Sequence, residues 1–125
     1  MRLPRRLSMT RREEFVAVRT QGESRATRNF VMATLCDPSV EHVKIGLITS
    51  RRAARRAVVR NQIRRRMRAV LVQHGDKLTP GRYLVLIARR RAAEASFREL
   101  EADWLDLARR LGILHENLSQ SSQSS

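Results

Sequence analysis

The sequence has 125 residues, of which 26 are Lys or Arg and 12 are Asp or Glu, for a formal net charge of +14. This excess of cations favours a polyanionic partner, either a nucleic acid or an anionic membrane surface. No apolar run approaches the roughly 18 residues that span a bilayer, which excludes a transmembrane helix. Cys36 is the single cysteine, and the N-terminus lacks the apolar stretch of a secretory signal. We therefore expect a cytoplasmic protein without a disulfide.

A chain of this length buries one modest core, so we expect a single domain over residues 1–118 with its core over residues 7–114. Residues 119–125, SQSSQSS, are low in complexity and are predicted to be disordered. The positive charge is concentrated, because residues 44–91 hold fifteen basic residues and one acid while the rest of the chain is neutral overall. Such a concentration is typical of a binding surface.

The first predicted element is a short helix. Thr10 followed by Glu13 is a capping-box pattern, in which the glutamate side chain reaches back to the backbone of the cap residue. The helix is expected to run from there to about Thr20 and to bury Phe15 and Val18 on one face. It is expected to stop before the glycine that follows shortly afterwards.

Two strands are predicted next, over residues 29–35 and residues 42–49, because both segments are rich in apolar and β-branched residues. The Cys-Asp-Pro-Ser sequence between them is typical of a turn. We therefore expect these two strands to pair with each other as a hairpin.

Residues 51–68 are the most distinctive stretch, since nine of these eighteen residues are arginine and none is acidic. A helix that begins near Arg56 would align four apolar side chains on one face, which predicts that this face is buried. Those side chains are Val59, Ile63, Met67 and Val70. On the same helix Asn61, Arg65 and Arg68 would point away from the apolar stripe, and Arg60 and Arg64 would lie at its shoulder. Like charges at i, i+4 oppose helix formation unless an anion binds them, so the pattern indicates a polyanion.

The basic helix is expected to end near His74 and Gly75, with the glycine as C′ residue. Residues 82–89 are continuously apolar in the middle and predict a strand buried on both faces. Ser96 and Glu99 form a second capping box, which opens an amphipathic helix whose acids are predicted to be a solvated face. The predicted fold is α+β, a small sheet of about four strands packed with helices in the order helix, strand, strand, an optional strand, helix, strand, helix.

No catalytic site is predicted. The three histidines, at positions 42, 74 and 115, lack the spacing of a metal site and are expected at the surface or at helix ends. The five glycines are scattered and form no phosphate-binding loop. Phe15 and Phe30 are assigned to the core more readily than to base stacking, although stacking stays open for both.

Residues 45–68, IGLITSRRAARRAVVRNQIRRRMR, closely resemble the characteristic segment of the bacterial ribonuclease P protein subunit. The order of predicted elements agrees with that family over about residues 7–114. The resemblance implies an accessory protein of a catalytic RNA, which removes the 5′ leader of precursor tRNA with Mg²⁺ ions held mainly by the RNA. It also implies a left-handed crossover between parallel strands around the basic helix, which is the rare sense.

By position, the resemblance assigns two sets of contact residues and no catalytic or metal-binding residue. The set that would bind the RNA subunit is Arg51, Arg52, Arg55, Arg56, Arg60, Asn61, Arg64, Arg65 and Arg68. The set that would bind the precursor-tRNA leader, in a central cleft, is Phe15, Arg19, Arg28, Phe30 and Arg89. The partners implied are the catalytic RNA subunit and precursor tRNA, without a membrane or a small-molecule substrate, and the isolated protein is expected to be a monomer.

The sequence departs from the family pattern at three positions. Gln62 replaces an arginine of the motif and is expected toward the buried side of the helix, with a modest loss of binding. Arg19 and Ala33 occupy positions where some members carry an aromatic residue, so leader binding is expected to depend more on charge than on stacking.

Three alternatives stay open. A structural RNA-binding protein of the ribosomal type would share the charge pattern but would have no role in tRNA processing. A DNA-binding regulator would require a helix-turn-helix pair and a dimer, and the strands on either side of the basic helix argue against it. A helix lying on a membrane surface would require a larger apolar face.

Overall fold

The computed structural model describes Met9 and residues 11–114, and these form one four-stranded sheet with helices on both faces. The helices are α1 (Arg12–Gln21), α2 (Ala57–His74) and α3 (Phe97–Arg110). The strands are β1 (Glu23–Ala26), β2 (Phe30–Cys36), β3 (Val43–Ile48) and β4 (Arg82–Ala88). Short 3-10 turns follow α2 and β4. Among the described residues, no helix is long and apolar enough to cross a membrane.

The α+β class is confirmed, but the predicted hairpin between the second and third strands is wrong. The sheet order is β1-β2-β4-β3, with β4 antiparallel to β2 and parallel to β3. β4 takes the central position because its apolar side chains need cover on both faces. The turn after Cys36 instead passes the start of β4, where Asp37 N–H donates to the carbonyl of Gly81 and Gly81 N–H donates to that of His42.

The connection from β3 through α2 to β4 joins parallel neighbours, and hydrogen bonds fix its hand. Arg89 N–H donates to Asn29 O and Asp37 N–H to Gly81 O, so odd-numbered residues of β4 direct their backbone polar groups toward β2. Their side chains, such as Val85, lie on the α1 face. For L residues, β3 then lies to the right of β4 when the sheet is viewed from α2 with both strands running upward. In this view the chain leaves β3 on the right, passes through α2 in front of the sheet and enters β4 on the left. The crossover is therefore left-handed, as the resemblance implied.

Strand alternation divides the interior into two layers. The larger core lies between the sheet and the pair α2 and α3, and includes Phe30, Met32 and Leu84 of the sheet and Trp104 of α3. The smaller layer lies under α1 and includes Met9, Val18, Ala33 and Val85. The sequence patterns gave no sign of β1, because its four residues are polar or small and all are exposed; it is held as an edge strand by antiparallel pairing with β2.

The capping residues predicted at the helix ends are found in the structure, with two differences. The capping box of α3 is confirmed, since Ser96 N–H donates to Glu99 Oε1 at 2.8 Å and Glu99 N–H to Ser96 Oγ at 3.2 Å. At α1 it is Glu14, not Glu13, that reaches back, accepting from Arg11 N–H at 3.1 Å; the predicted cap residue 10 lies outside the described residues, as does the predicted disordered tail. α2 ends where predicted, but Gly75 has φ −62° and continues the right-handed turn.

Candidate nucleic-acid interface

α2 has the two faces that its sequence predicts. Ile63, Met67 and Val70 are buried against the sheet and α3, while the opposite face is exposed. Six exposed arginines, from the loop before α2 and from its outer face, make up what we call the arginine surface. They are Arg51, Arg52, Arg55, Arg56, Arg65 and Arg68. Within the part of the chain that the structure describes, none of the six forms a hydrogen bond or ion pair through its side chain, and the same holds for the exposed Asn61.

Arg60 and Arg64 lie at the shoulder of the helix, as predicted, and both are half-buried. Arg60 Nη1 donates to the carbonyls of Ala54 and Arg55 at 2.9 and 2.8 Å. Arg64 Nη1 donates to Thr49 Oγ1 at 3.1 Å. These two guanidinium groups therefore hold the loop that presents the arginine surface.

Gln62 is exposed, so the prediction that it turns toward the buried side is wrong. The half-buried position is taken instead by Arg66, whose Nη1 donates to the carbonyl of Ala95 at 3.1 Å. Gln62 and Arg66 lie on the same side of α2 one turn apart, and the segment before α3 reaches the helix at the level of Arg66, so that only Arg66 is partly covered.

The loop before α2 forms a shallow basic pocket with the start of that helix. Its lining residues are Arg51, Arg52, Arg55, Ala57 and Arg60. Buried Ala53 anchors the loop, and its N–H donates to the carbonyl of Ser50. The first turn of α2 contains no acidic residue, so the positive end of the helix dipole adds to the guanidinium charge. The pocket is suited to phosphate oxygens.

A cleft with a volume of about 580 Å³ lies on the other face of the sheet, beside α1. Its helical wall is Arg12, Phe15, Val16 and Arg19, at the i, i+3, i+4, i+7 spacing of one helix face. Its floor is mainly aliphatic and comes from all four strands. The floor residues include Ser24, Val31, Ala33, Ile48, Val85 and Ile87. Such a cleft offers apolar surface to flat groups and two guanidinium groups to phosphates.

Phe15 can approach the floor closely because position 46 is glycine. A Cβ atom built on Gly46 would lie 2.5 Å from Phe15 Cε1, so any larger residue would force the ring to move. The half-buried Phe15 ring therefore packs against the sheet and still faces the cleft.

The structure brings some of the predicted leader-binding residues together and excludes one. Phe15 and Arg19 both line the cleft. Phe30 is only 1% exposed and lies in the core under α3, so the prediction that it contacts the leader is wrong. The reason is strand alternation: Phe30 and Met32 share the face of β2 that α3 covers, whereas Val31 between them lines the cleft.

Arg28 and Arg89 are exposed and lie at one end of the sheet. Arg28 is in the turn between β1 and β2, and Arg89 follows the last residue of β4. Arg89 Nη1 donates to the carbonyl of Thr27 at 3.0 Å, so its guanidinium group is fixed beside that turn. Ile48, which lines the cleft, ends β3 three residues before Arg51; the cleft and the arginine surface therefore meet at this end.

Sequence reasoning missed Arg12 and the aliphatic floor of the cleft. Arg12 precedes Arg19 by two helical turns, a spacing that could have placed both on one face. It also misjudged the acids of α3 as a solvated face. Glu101 Oε2 lies 2.6 Å from the Nε2 of buried His74, and Asp103 accepts hydrogen bonds from the turn between β1 and β2. Within the described ranges, no three His, Cys, Asp or Glu residues are grouped to hold a metal ion.

Comparisons with known proteins agree in sequence and in fold. A family model described as Ribonuclease P matches residues 3–112. The Ribonuclease P protein component of Bacillus pumilus (strain SAFR-032) is 32% identical over 120 residues, which cover 96% of this chain and 100% of that protein. The one from Geobacillus thermodenitrificans (strain NG80-2) is 35% identical over 112 residues, or 90% and 92% of the two chains.

Solved structures of RNase P proteins have the same fold. The Staphylococcus aureus protein superposes with a TM-score of 0.79 at 21% identity, covering 86% of this chain and 97% of that one. The Thermotoga maritima protein superposes with a TM-score of 0.70 at 21% identity, covering 88% and 96%. At this identity the two structures show the shared architecture.

Proposed function

Because this chain belongs to the ribonuclease P protein component family, we propose that it binds the catalytic RNA of that ribonucleoprotein and the 5′ leader of precursor tRNA, and so assists removal of the leader. The observation that supports the proposal is the presence, on one small body, of two different surfaces whose chemistry suits RNA. The arginine surface lies on α2 and its preceding loop, and the cleft lies beside α1.

The arginine surface is the proposed site for the RNA subunit. Its six guanidinium groups are exposed and lack counter-charges among the described residues. A folded RNA carries closely spaced phosphates, which release condensed counterions when arginines neutralise them. The planar guanidinium also binds a phosphate through two hydrogen bonds, which orients the protein on the RNA.

The cleft is the proposed site for the leader. A single-stranded leader differs in sequence from one precursor to another, so its binding site needs contacts that any base can make. The aliphatic floor and Phe15 offer apolar surface to bases, while Arg12 and Arg19 at the wall offer charge to phosphates. The scarcity of aromatic residues supports binding in which charge contributes more than stacking.

The chemistry is proposed to belong to the RNA, with Mg²⁺ held mainly by its phosphates. The described residues bring together no carboxylate cluster of the kind that holds two catalytic metal ions. The protein's contribution is to lower the repulsion between two polyanions, the RNA subunit and the precursor. We place this activity in the cytoplasm as part of the same proposal.

The decisive experiment compares precursor-tRNA cleavage by the cognate RNA subunit with and without this protein, over a Mg²⁺ titration. We expect the protein to lower the Mg²⁺ concentration needed for half-maximal cleavage, because its cations replace part of the ionic screening. A matched control uses precursor with a leader of one nucleotide, for which the benefit should shrink. If the protein binds the RNA but leaves the titration unchanged, a structural RNA-binding role is the correct assignment.

A further inference from the structure

A small hydrogen-bond cluster joins α3 to the turn between β1 and β2. Asp103 Oδ2 accepts from Thr27 Oγ1 at 2.8 Å and from Asn29 Nδ2 at 2.7 Å. Asn29 is only 6% exposed, so its amide is shielded from water and depends on this carboxylate as its partner. Asp103 therefore binds the residues immediately before and after Arg28.

The turn itself is held from two further directions. Thr27 Oγ1 also accepts from the backbone N–H groups of Asn29 and Phe30, at 3.4 and 3.3 Å. On the other side, Arg89 Nη1 donates to the carbonyl of Thr27 at 3.0 Å, and Arg89 N–H donates to Asn29 O at 2.8 Å. The position of the turn therefore sets where two exposed guanidinium groups, those of Arg28 and Arg89, can meet an RNA strand.

From this geometry we infer that Asp103 is a positioning residue for leader binding: it fixes the turn between β1 and β2, so that Arg28 and Arg89 are held at the end of the sheet where Ile48 and Ile87 line the cleft. The inference rests on the proposed function, since it requires that the leader leaves the cleft at this end. It assigns a binding role to a carboxylate, which by charge alone would repel RNA.

Simple electrostatics and a positioning role predict opposite changes in RNA affinity when Asp103 is removed. Removing any carboxylate near a phosphate chain should strengthen RNA binding slightly through simple electrostatics. Removing a carboxylate that positions arginines should weaken it, because the arginines lose their fixed location. Asp106 is the matched control, since it lies one turn further along α3 beside the same turn, but its carboxylate pairs with Arg110 at 3.0 Å and, within the described part of the chain, makes no hydrogen bond to the turn.

The experiment measures the dissociation constants of the reconstituted holoenzyme for precursor tRNA and for mature tRNA without a leader. We expect Asp103→Ala to weaken precursor binding about three- to tenfold and to leave mature tRNA binding unchanged. Thr27→Val removes the hydrogen bond to Asp103 together with the two that Thr27 Oγ1 accepts from Asn29 N–H and Phe30 N–H, while it keeps charge and shape, and should shift precursor binding in the same direction. Asp106→Ala should bind both RNAs as the wild type does or slightly more tightly.

A double variant separates positioning from a general loss of structure. If Asp103 acts through Arg28, the effects of Asp103→Ala and Arg28→Ala on precursor binding should be less than additive, because the second change removes a contact already weakened. The inference is overturned if Asp103→Ala binds precursor like the wild type or like Asp106→Ala, or if it weakens both RNAs equally. If the wild-type holoenzyme itself does not prefer precursor over mature tRNA, the proposed leader site is wrong instead.

Discussion

Arg60 and Arg65 lie on the same helix but in different surroundings. Arg65 is exposed and has no side-chain partner among the described residues, whereas Arg60 holds two loop carbonyls. We predict that Arg65→Ala weakens binding to the RNA subunit by about 1–3 kcal/mol and leaves the free energy of unfolding unchanged. Filter binding and urea denaturation measure the two quantities. The control is Arg98→Ala, which removes an exposed arginine from α3.

For Arg60→Ala we predict losses in both measurements. The carbonyls of Ala54 and Arg55 lose their donor, so the loop should become less ordered and the free energy of unfolding should fall by about 1 kcal/mol. RNA binding should weaken as well, because the loop carries four arginines of the arginine surface. A variant that loses affinity with unchanged stability would show that these hydrogen bonds do not support the loop.

Gly46 is the residue that admits Phe15 to the cleft. We predict that Gly46→Ala lowers the free energy of unfolding by about 1–3 kcal/mol, since the new methyl group would overlap the Phe15 ring. The control is Gly75→Ala, where φ is −62° and no atom lies within 4 Å of the added Cβ; there stability should be unchanged or rise by up to about 1 kcal/mol. Urea denaturation of both variants checks this, and equal midpoints would contradict it.

Among the elements, α3 depends on its N-terminal capping box. We predict that Ser96→Ala lowers the free energy of unfolding by about 0.5–2 kcal/mol, because Glu99 N–H loses its acceptor. Ser50→Ala is the control, since Ser50 is exposed and its hydroxyl has no partner among the described residues. Thermal unfolding of the two variants in parallel gives the comparison. If they melt at the same temperature, the box does not stabilise the helix.

The helices could be predicted closely because their signals are local. Capping residues and the 3.6-residue period located α2 and α3 and identified the outward side of α2, including Asn61 and Arg65. The strand order could not be predicted, because it depends on contacts between distant segments. The short turn after Cys36 is compatible with a hairpin, and only the need to cover both faces of β4 inserts that strand between the other two.

Which side chains line the cleft could not be predicted either, because this too depends on contacts between distant segments. Alternation along β2 predicts that Phe30 and Val31 face opposite sides, but it does not say which side α3 covers. The choice is made by packing, and it places Phe30 in the core and Val31 in the cleft. Asp103 was assigned to solvent for a related reason, since its partners are more than seventy residues away in the chain.

Considered as a whole, the molecule separates its charges by location. Acids of α3 are paired with His74, Arg110 and the turn between β1 and β2. The arginine surface on the far side of α2 has no such partner within the described residues. The separation leaves a field that attracts RNA from a distance and accelerates association at low ionic strength.

This separation predicts a steep dependence of RNA-subunit binding on salt. If each of the six arginines of the arginine surface neutralises one phosphate, a plot of log K against log salt concentration should have a slope of about −4 to −5. Arg65→Ala should reduce the magnitude of that slope by about one, whereas Arg98→Ala should leave it unchanged. Filter binding at five monovalent salt concentrations with constant Mg²⁺ measures the slopes. A wild-type slope near zero, or equal slopes for the two variants, would show that the arginine surface does not carry the binding.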